Sequence, residues 1–331
     1  MRRVLLMILC LGLLPLASLA DDDAQTRGES LLQHARTLSD IRSEGSPAFR
    51  LKATFSFTGE RLDTVEGTYT ETWISDSQSR REIEIGNTRY VEVSGPGKYW
   101  LVRPDGFPAK ATKILSLMTV FPPVSSHLDF ASISDHVSND IAAACAFGQP
   151  NTDKLQFVFC FDKKTGLLLE TIIPERRPRN VVSLACSFGT FRKFGNYWFP
   201  HGATCSEERH KAMSADIVEL TIEPPIDPAL FDRPQDSIEL DKCSGKLVGP
   251  TLYAHEMAFP GLDPDRMAWI QVWFVVDLKG RPQHVQILHS VVKGAHENAL
   301  RAVRNWRLEP ATCDGKRIQM PMMLEIPSTP K

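Results

Sequence analysis

The sequence predicts an α+β protein built from two successive units, an antiparallel β meander carrying short helices and then a small ββαβ unit. Three observations predict it. Apolar residues alternate with polar ones from Phe49 to Phe57, and turn signals recur at short intervals after them. Pro224, Pro225, Pro228 and Pro234 then punctuate a boundary. Beyond it the pattern runs strand, strand, helix, strand. The 331 residues are enough for two domains of roughly 150 residues, each able to bury its own core. Hydrophobic residues at 42% and charged residues at 24% exclude a disordered chain and a polytopic membrane protein. A net charge of −2 supplies no general field for nucleic acid, which is excluded as a partner.

The chain opens with Arg2 and Arg3, an apolar run from Val4 to about Leu16, and Ser18-Leu19-Ala20 before Asp21-Asp22-Asp23. This is the layout of a secretory signal, so residues 1–20 are expected to be removed. The rival is an uncleaved inner-membrane anchor facing the periplasm. Its 17 residues from Val4 to Ala20, broken by Pro15, stand at the lower limit for crossing a bilayer. Lipidation at Cys10 is rejected, because Leu9 is bulky and a cut there divides the apolar run. Cleavage leaves six of the seven cysteines, and 36 basic against 40 acidic residues, a net charge of −4.

Residues 28–40 place Leu31, Leu32, Ala35 and Leu38 at helical spacing. Strands follow at 49–57, 64–75, 81–85, 88–94 and 98–103, separated by turns such as Gly86-Asn87 and Gly95-Pro96-Gly97. Short connections between successive strands imply antiparallel order. Residues 113–120 and 139–144 read as short helices. Strands resume at 155–161 and 167–173, continue through a hairpin of 181–194 with 197–209, and end at 216–222. A linker is expected at about 224–245, dividing the mature chain into units 21–240 and 241–331. In the second unit, strands are expected at 269–277 and 282–289, then a helix from near Lys293 with Ala295, Ala299, Leu300, Val303 and Trp306 on its apolar face, then a strand at 317–326.

An even cysteine count in an exported chain favours disulfides. The midpoint of Cys186 and Cys205 falls at Gly195-Asn196, a two-residue hairpin turn, which sets the two cysteines opposite each other. Cys145 and Cys160 are centred on the polar stretch 149–154, a looser turn. Cys243 and Cys313 remain, and tie the start of the last segment to the loop 311–315. Each closure contributes roughly 3 kcal/mol by chain-entropy reasoning. The absence of Cys-x-x-Cys and Cys-x-x-His spacing argues against zinc.

The C-terminal segment resembles the C-terminal domain of TonB. The resemblance is carried by Val275-Val276-Asp277-Leu278-Lys279-Gly280-Arg281, Val285-Gln286-Ile287-Leu288-His289-Ser290, Asn298-Ala299-Leu300-Arg301-Ala302-Val303, Asn305-Trp306-Arg307-Leu308-Glu309-Pro310-Ala311 and Asp314-Gly315-Lys316. It implies a periplasmic domain that meets an extended segment of an outer-membrane protein and pairs with it by strand addition. The long Pro-Lys/Pro-Glu spacer of a transducer does not follow the apolar start, so a mechanical link to an inner-membrane motor is not expected. Residues 21–235 resemble, in layout, the half-barrel of LolA/LolB-like lipoprotein carriers. The layout includes the first helix, the meander with Gly67-Thr68-Tyr69-Thr70-Glu71-Thr72-Trp73, and Asp162-Lys163-Lys164-Thr165-Gly166-Leu167-Leu168. That resemblance implies an apolar concavity for an acyl chain, with Phe49, Phe55, Phe57, Tyr69 and Trp73 as candidate lining. The competing reading is that these aromatics fill a core.

Catalysis is not expected. There is no phosphate-binding glycine loop, His-Glu-x-x-His helix or Gly-x-Ser-x-Gly elbow, and neither a cofactor nor a metal is called for. His284 and His289 lie five apart on a strand and face opposite sides. His255-Glu256 with Asp263 and Asp265 reads as a solvated loop, as does Arg176-Arg177-Pro178-Arg179, whose functional alternative is contact with anionic head groups or an acidic partner. The expectation is a non-catalytic periplasmic protein of a Gram-negative envelope that binds an envelope or outer-membrane protein through its TonB-like unit. The alternatives are a carrier of lipid or lipoprotein and a transducer with an uncleaved anchor.

Overall fold

The computed structural model describes residues 18–43, 45–58, 64–119, 128–150, 155–176, 181–208, 210–254, 269–290 and 295–327. The expected signal segment up to residue 17 and the His255–Asp265 cluster lie outside them. Among the described residues the protein is mostly β with three α-helices, and its main feature is an open antiparallel sheet of thirteen strands. Helix α1 (Ser18–Ser39) precedes β1 (Phe49–Thr58), β2 (Thr64–Ser75), β3 (Gln78–Ile85), β4 (Thr88–Gly95) and β5 (Lys98–Val102). Helix α2 (Ala109–Thr119) leads to β6 (Leu128–Ser138), β7 (Ile141–Pro150), β8 (Phe157–Asp162) and β9 (Leu168–Arg176). Then come β10 (Val181–Phe194), β11 (Tyr197–Glu207), β12 (His210–Ile222) and β13 (Ile238–Asp241). The spatial order is β13-β5-β4-β3-β2-β1-β12-β11-β10-β9-β8-β7-β6, so β1 joins two meanders and the sheet does not close.

Both helices cover the same face, here the inner one: α1 lies against β6, β7, β8 and β11, and α2 against β10, β11 and β12. Helix α1, described over Ser18–Ser39, is already helical well before Gly28, where the sequence pattern placed its beginning. Leu32 and Ala35 are buried, and Gly28 lets the helix settle on the Phe130 ring, which a Cβ at that position would meet at 2.4 Å. The aromatic centre of the sheet is dense. Phe49 stacks on Trp73 with centroids 5.6 Å apart and meets Phe194 edge-on at 6.4 Å.

The stretch 139–144, expected as a helix, is instead a hairpin turn and the start of β7. Asn139 and Asp140 both have positive φ, 50° and 64°, as a two-residue turn between right-twisted strands requires. The alanine-rich run that follows is buried on both sides: Ala146 joins the cluster that holds Leu32 and Ala35 of α1, while Ala143 and Cys145 join Val158, Cys160 and Leu169. A strand covered on both faces loses its alternation, and the few tenths of a kcal/mol of helix propensity per alanine yield to the ladder. The proline-punctuated stretch is also structured rather than a free tether. A 3-10 turn at Pro228–Phe231 packs Phe231 against Val91 and Val93 on the outer face, and β13 then pairs with β5.

Further on, β14 (Leu247–Val248) pairs with β19 (Thr312–Cys313), which turns back into β20 (Lys316–Arg317). Strand β15 (Thr251–Ala254) pairs with β18 (Arg307–Glu309). Strand β16 (Trp269–Val276) is the centre of a three-stranded sheet, flanked by β17 (Pro282–Ser290) and β21 (Met320–Pro327), with α3 (Ala295–Arg304) between β17 and β18 in the chain. One face of β16 (Ile270, Val272, Phe274, Val276) packs with Ala299, Val303 and Trp306. The other, Trp273 and Val275, joins the cluster of the large sheet. Burial on both faces explains the unbroken apolar run Val272–Val276.

Three disulfides are present. Cys145–Cys160 and Cys186–Cys205 are directly opposed in their ladders with Cα atoms 4.0 Å apart, as the hairpin midpoints require. Cys243–Cys313 closes a separation of 70 residues.

The Asp277–Gly280 turn is the tightest local constraint. Asp277 Oδ1 accepts from the amides of Lys279 and Arg281 at 2.8 and 2.9 Å. Gly280, at φ 75°, passes so close to β18 that a Cβ would lie 1.8 Å from the Leu308 carbonyl oxygen. Gly280→Ala is therefore expected to cost about 2 kcal/mol or more through backbone strain and loss of the Leu308 N–H to Gly280 O bond. Urea denaturation checks this, and an unchanged midpoint would contradict the close approach.

Candidate functional site

A row of charge crosses the apolar inner face where β2, β3 and β4 run side by side. Register sets Glu71 opposite Arg81 and Arg81 opposite Glu92, with Leu51 and Leu101 at the two ends. Directly opposed residues of alternating sign attract. Glu71 is fully buried and its carboxylate is saturated by donors. Arg42 reaches it with Nε at 3.1 Å and with Nη2, Tyr69 Oη donates at 2.9 Å, and Arg81 Nε donates at 3.1 Å. Burial alone raises its pKa, but the charges of Arg42 and Arg81 and the bonds from Arg42 and Tyr69 outweigh it and hold the pKa at about 2. Burial lowers the Arg81 pKa in turn, and Glu71 more than reverses that, so the guanidinium stays charged.

Beside this row, beneath α2, lies a pocket of about 230 Å³. Its floor is Tyr69, Arg81, Ile83, Tyr90 and Glu92. Its roof is Thr112, Lys113 and Ser116 of α2. Tyr90 Oη donates to Glu92 Oε1 at 2.6 Å, and Arg81 Nη1 lies 3.8 Å from Glu92 Oε2. The sequence reading missed Arg42, Glu71, Arg81 and Glu92. The available signal was Glu71 on the apolar side of Tyr69-x-Glu71-x-Trp73, a charge that needs a partner when buried.

The five aromatic candidates are core residues in this structure. Phe49, Phe55, Phe57, Tyr69 and Trp73 are 0–5% exposed and belong to one cluster. Among them only Tyr69 reaches the pocket. Of the basic run, residues 177–179 lie outside the described residues. His284 is exposed on β17 at φ 52°. Among the described residues no group of three His, Cys, Asp or Glu is placed to hold a metal, and no helix is long and apolar enough to cross a membrane.

The C-terminal sheet meets the large one through Arg103. Its guanidinium sits over the rings of Tyr90 and Trp273, with centroids at 5.8 and 5.5 Å, and Nη2 donates to Phe107 O at 2.7 Å. Gln286 Nε2 donates to Arg103 O at 3.2 Å, and the Gln319 amide to Asp241 Oδ2 at 2.8 Å. With α3 on one face and the large sheet on the other, β16 leaves the edges at β17 and β21 as this sheet's pairing groups. Met323 on β21 is 41% exposed.

Residues 268–327 match the family model of the Gram-negative bacterial TonB protein C-terminal. Solved structures similar to the chain include a putative outer membrane lipoprotein-sorting protein domain from Vibrio parahaemolyticus, 14% identical, covering 63% of this chain and 97% of that one at a TM-score of 0.42. A DUF1329 family protein from Desulfovibrio piger is 15% identical, with the same two coverages and TM-score. A LolA superfamily protein from Nitrosomonas europaea is 8% identical, covering 62% of this chain and 97% of that one at 0.43. No curated protein matches the chain.

The charge row makes stability depend on acid. Glu71 has a folded pKa of about 2 against an ordinary 4.5, so its contribution is fully present above about pH 4.5 and is lost as pH falls through the folded value. The full loss is about 3 kcal/mol by linkage. Urea midpoints of the wild type should fall steeply over this window. In Glu71→Gln, which starts about 3 kcal/mol lower because the buried Arg42 and the partly exposed Arg81 lose their counter-charge, the fall should be shallower. Equal slopes in the two proteins would contradict the assignment.

Proposed function

We propose that the chain is an exported, non-catalytic periplasmic protein of a Gram-negative envelope whose C-terminal unit, residues 241–331, binds an extended segment of an envelope or outer-membrane protein. The observation that carries this is the match of residues 268–327 to the TonB C-terminal model. Three disulfides support the compartment, since structural disulfides persist where the environment is oxidising, and cleavage after Ala20 fits the same route. The strand-edge geometry supports the mode of binding. With both faces of β16 occupied, an incoming extended segment gains main-chain hydrogen bonds at β17 or β21.

A second reading, carriage of lipid or lipoprotein by the unit at 21–240, is favoured by the pocket beneath α2. The packed state of Phe49, Phe55, Phe57 and Trp73 means that an acyl chain enters the inner face only if α2 lifts.

A photo-crosslinking residue in place of Met323 on β21, and another at Gln283 on β17, tests the first reading in living envelopes with the full chain. The expected result is covalent capture, at one edge only, of an outer-membrane protein through a segment that mass spectrometry finds to be extended and non-helical. Absence of capture at both edges would count against strand pairing. N-terminal sequencing of the purified protein is expected to begin at Asp21, and a start at Met1 would favour an anchored form.

A further inference from the structure

We propose that the free edge of β6 is a pairing surface for a second copy of this chain, with residues 133–137 of one copy antiparallel to the same stretch of the other about a two-fold axis at Ser134. This surface ends the large sheet opposite β13 and is separate from the C-terminal edges. The direction of the main-chain groups follows from the register. Asn139 and Asp140, both at positive φ, form a two-residue turn, so Ser138 and Ile141 on either side of it exchange hydrogen bonds. Counting back along the unbroken ladder, His136, Ser134 and Ser132 bond to β7, while Val137, Asp135 and Ile133 direct N–H and C=O away from it. The shift between Phe130 and Ser132 reverses this alternation upstream, and there the edge is already closed. Gln25 Nε2 donates to Leu128 O at 3.0 Å, and the Phe130 N–H donates to Gln25 Oε1 at 2.5 Å. Among the described residues no strand pairs with the edge at 133–137.

An open edge accepts another strand unless it is short, charged, bulged or covered. Strand β13, at the opposite end, is four residues long, carries Glu239 and Asp241, and lies beside β21. Past its bulge β6 has no such protection. It holds no proline or lysine there, and its one carboxylate, Asp135, is matched by Lys163 at 2.6 Å. Val137 is 63% exposed beside it. The occupant follows from the side chains, because this stretch is complementary to itself. With the axis at Ser134, Ile133 and Asp135 of one copy exchange main-chain bonds with Asp135 and Ile133 of the other. Ser134 then meets Ser134, Ser132 meets His136, and Ala131 meets Val137. No like charges stand opposite each other. Moving the axis to Asp135 would oppose two carboxylates, and moving it to His136 would oppose two imidazoles. The strand behind is rigid, since β7 is buried on both faces and tied to β8 by Cys145–Cys160, so the edge is presented with little left to order on pairing.

Sedimentation equilibrium on the full mature chain tests this, and a monomer–dimer equilibrium is expected. Ile133→Pro leaves the ladder to β7 intact, because that N–H points outward, but removes a pairing donor from both copies. It should raise the dimer dissociation constant about tenfold or more. Ser134→Lys and Ser134→Asp, at an exposed position, each set like charges across the axis and should raise it about fivefold. An equal mixture of these two variants should pair at least as tightly as the wild type. That recovery keeps the test valid if the proline variant fails to fold, and a merely structural role of Ser134 would not produce it. A photo-crosslinking residue in place of Val137 should link two copies of this chain in living envelopes. A wild type that stays monomeric, a dimer unchanged by the Ser134 substitutions, or a mixture that pairs no better than either variant alone would overturn the proposal. So would a link from position 137 to a different protein with the purified chain monomeric, which would assign the edge to a foreign strand.

Discussion

An open sheet of thirteen strands has a face that no strand of its own can cover, and the rest of the structure follows from that constraint. A closed barrel turns its inner side chains onto one another, but an open one leaves Phe49, Phe55, Tyr69 and Trp73 in need of a second layer. Helices α1 and α2 supply it over β6 to β12. Burying large aromatics yields about 25 cal/mol per Å² of apolar area removed from water, which is why the covered region forms one continuous cluster. Over β2 to β4 the cover thins, and there the sheet carries charge instead of apolar bulk. Glu71 is tolerable at full burial only because four donors surround it, two guanidinium groups among their sources.

How much of this was legible in the sequence depends on whether a strand is covered on one face or two. The half-buried strand β1 reads directly from its alternation, and β2, β4 and β5 are bounded by turn residues that the structure uses as turns, with Gly86 and Gly97 at positive φ. The pairs Cys145–Cys160 and Cys186–Cys205 were legible for a related reason: a hairpin's midpoint fixes its register. Strand β7 was not. Covered by α1 on one side and by the Val158–Leu169 cluster on the other, it keeps only small residues and loses the period that identifies a strand. The charge row was hidden differently. Each member sits in an ordinary amphipathic strand, and only the register between strands makes Glu71, Arg81 and Glu92 neighbours.

The same distinction governs the C-terminal segment. Its turn and helix residues were visible as a TonB-like pattern, and they lie within the matched residues 268–327. What the pattern does not carry is the second face of β16. Trp273 and Val275 alternate with the residues under α3 and point into the large sheet's cluster, where Arg103 lies between two aromatic rings. Arg103 Nε and Gln286 Oε1 are buried without a hydrogen-bond partner, a cost borne at the join between the two sheets. Apolar packing there outweighs imperfect polar pairing, as expected where a large aromatic side chain is removed from water.

The pocket beneath α2 differs in chemistry from the aromatic core beside it, being lined mostly by polar and charged side chains. Phe49, Phe55, Phe57 and Trp73 pack in the core cluster together with residues of α1 and α2 and do not line the pocket. What stays open is short and hydrogen-bonding, with Ile83 as its one aliphatic wall. The Arg103 that joins the two sheets also lies over the Tyr90 ring, whose hydroxyl is bonded to Glu92 on the pocket floor. The groups that define the pocket and the groups that seat the C-terminal sheet therefore share Tyr90.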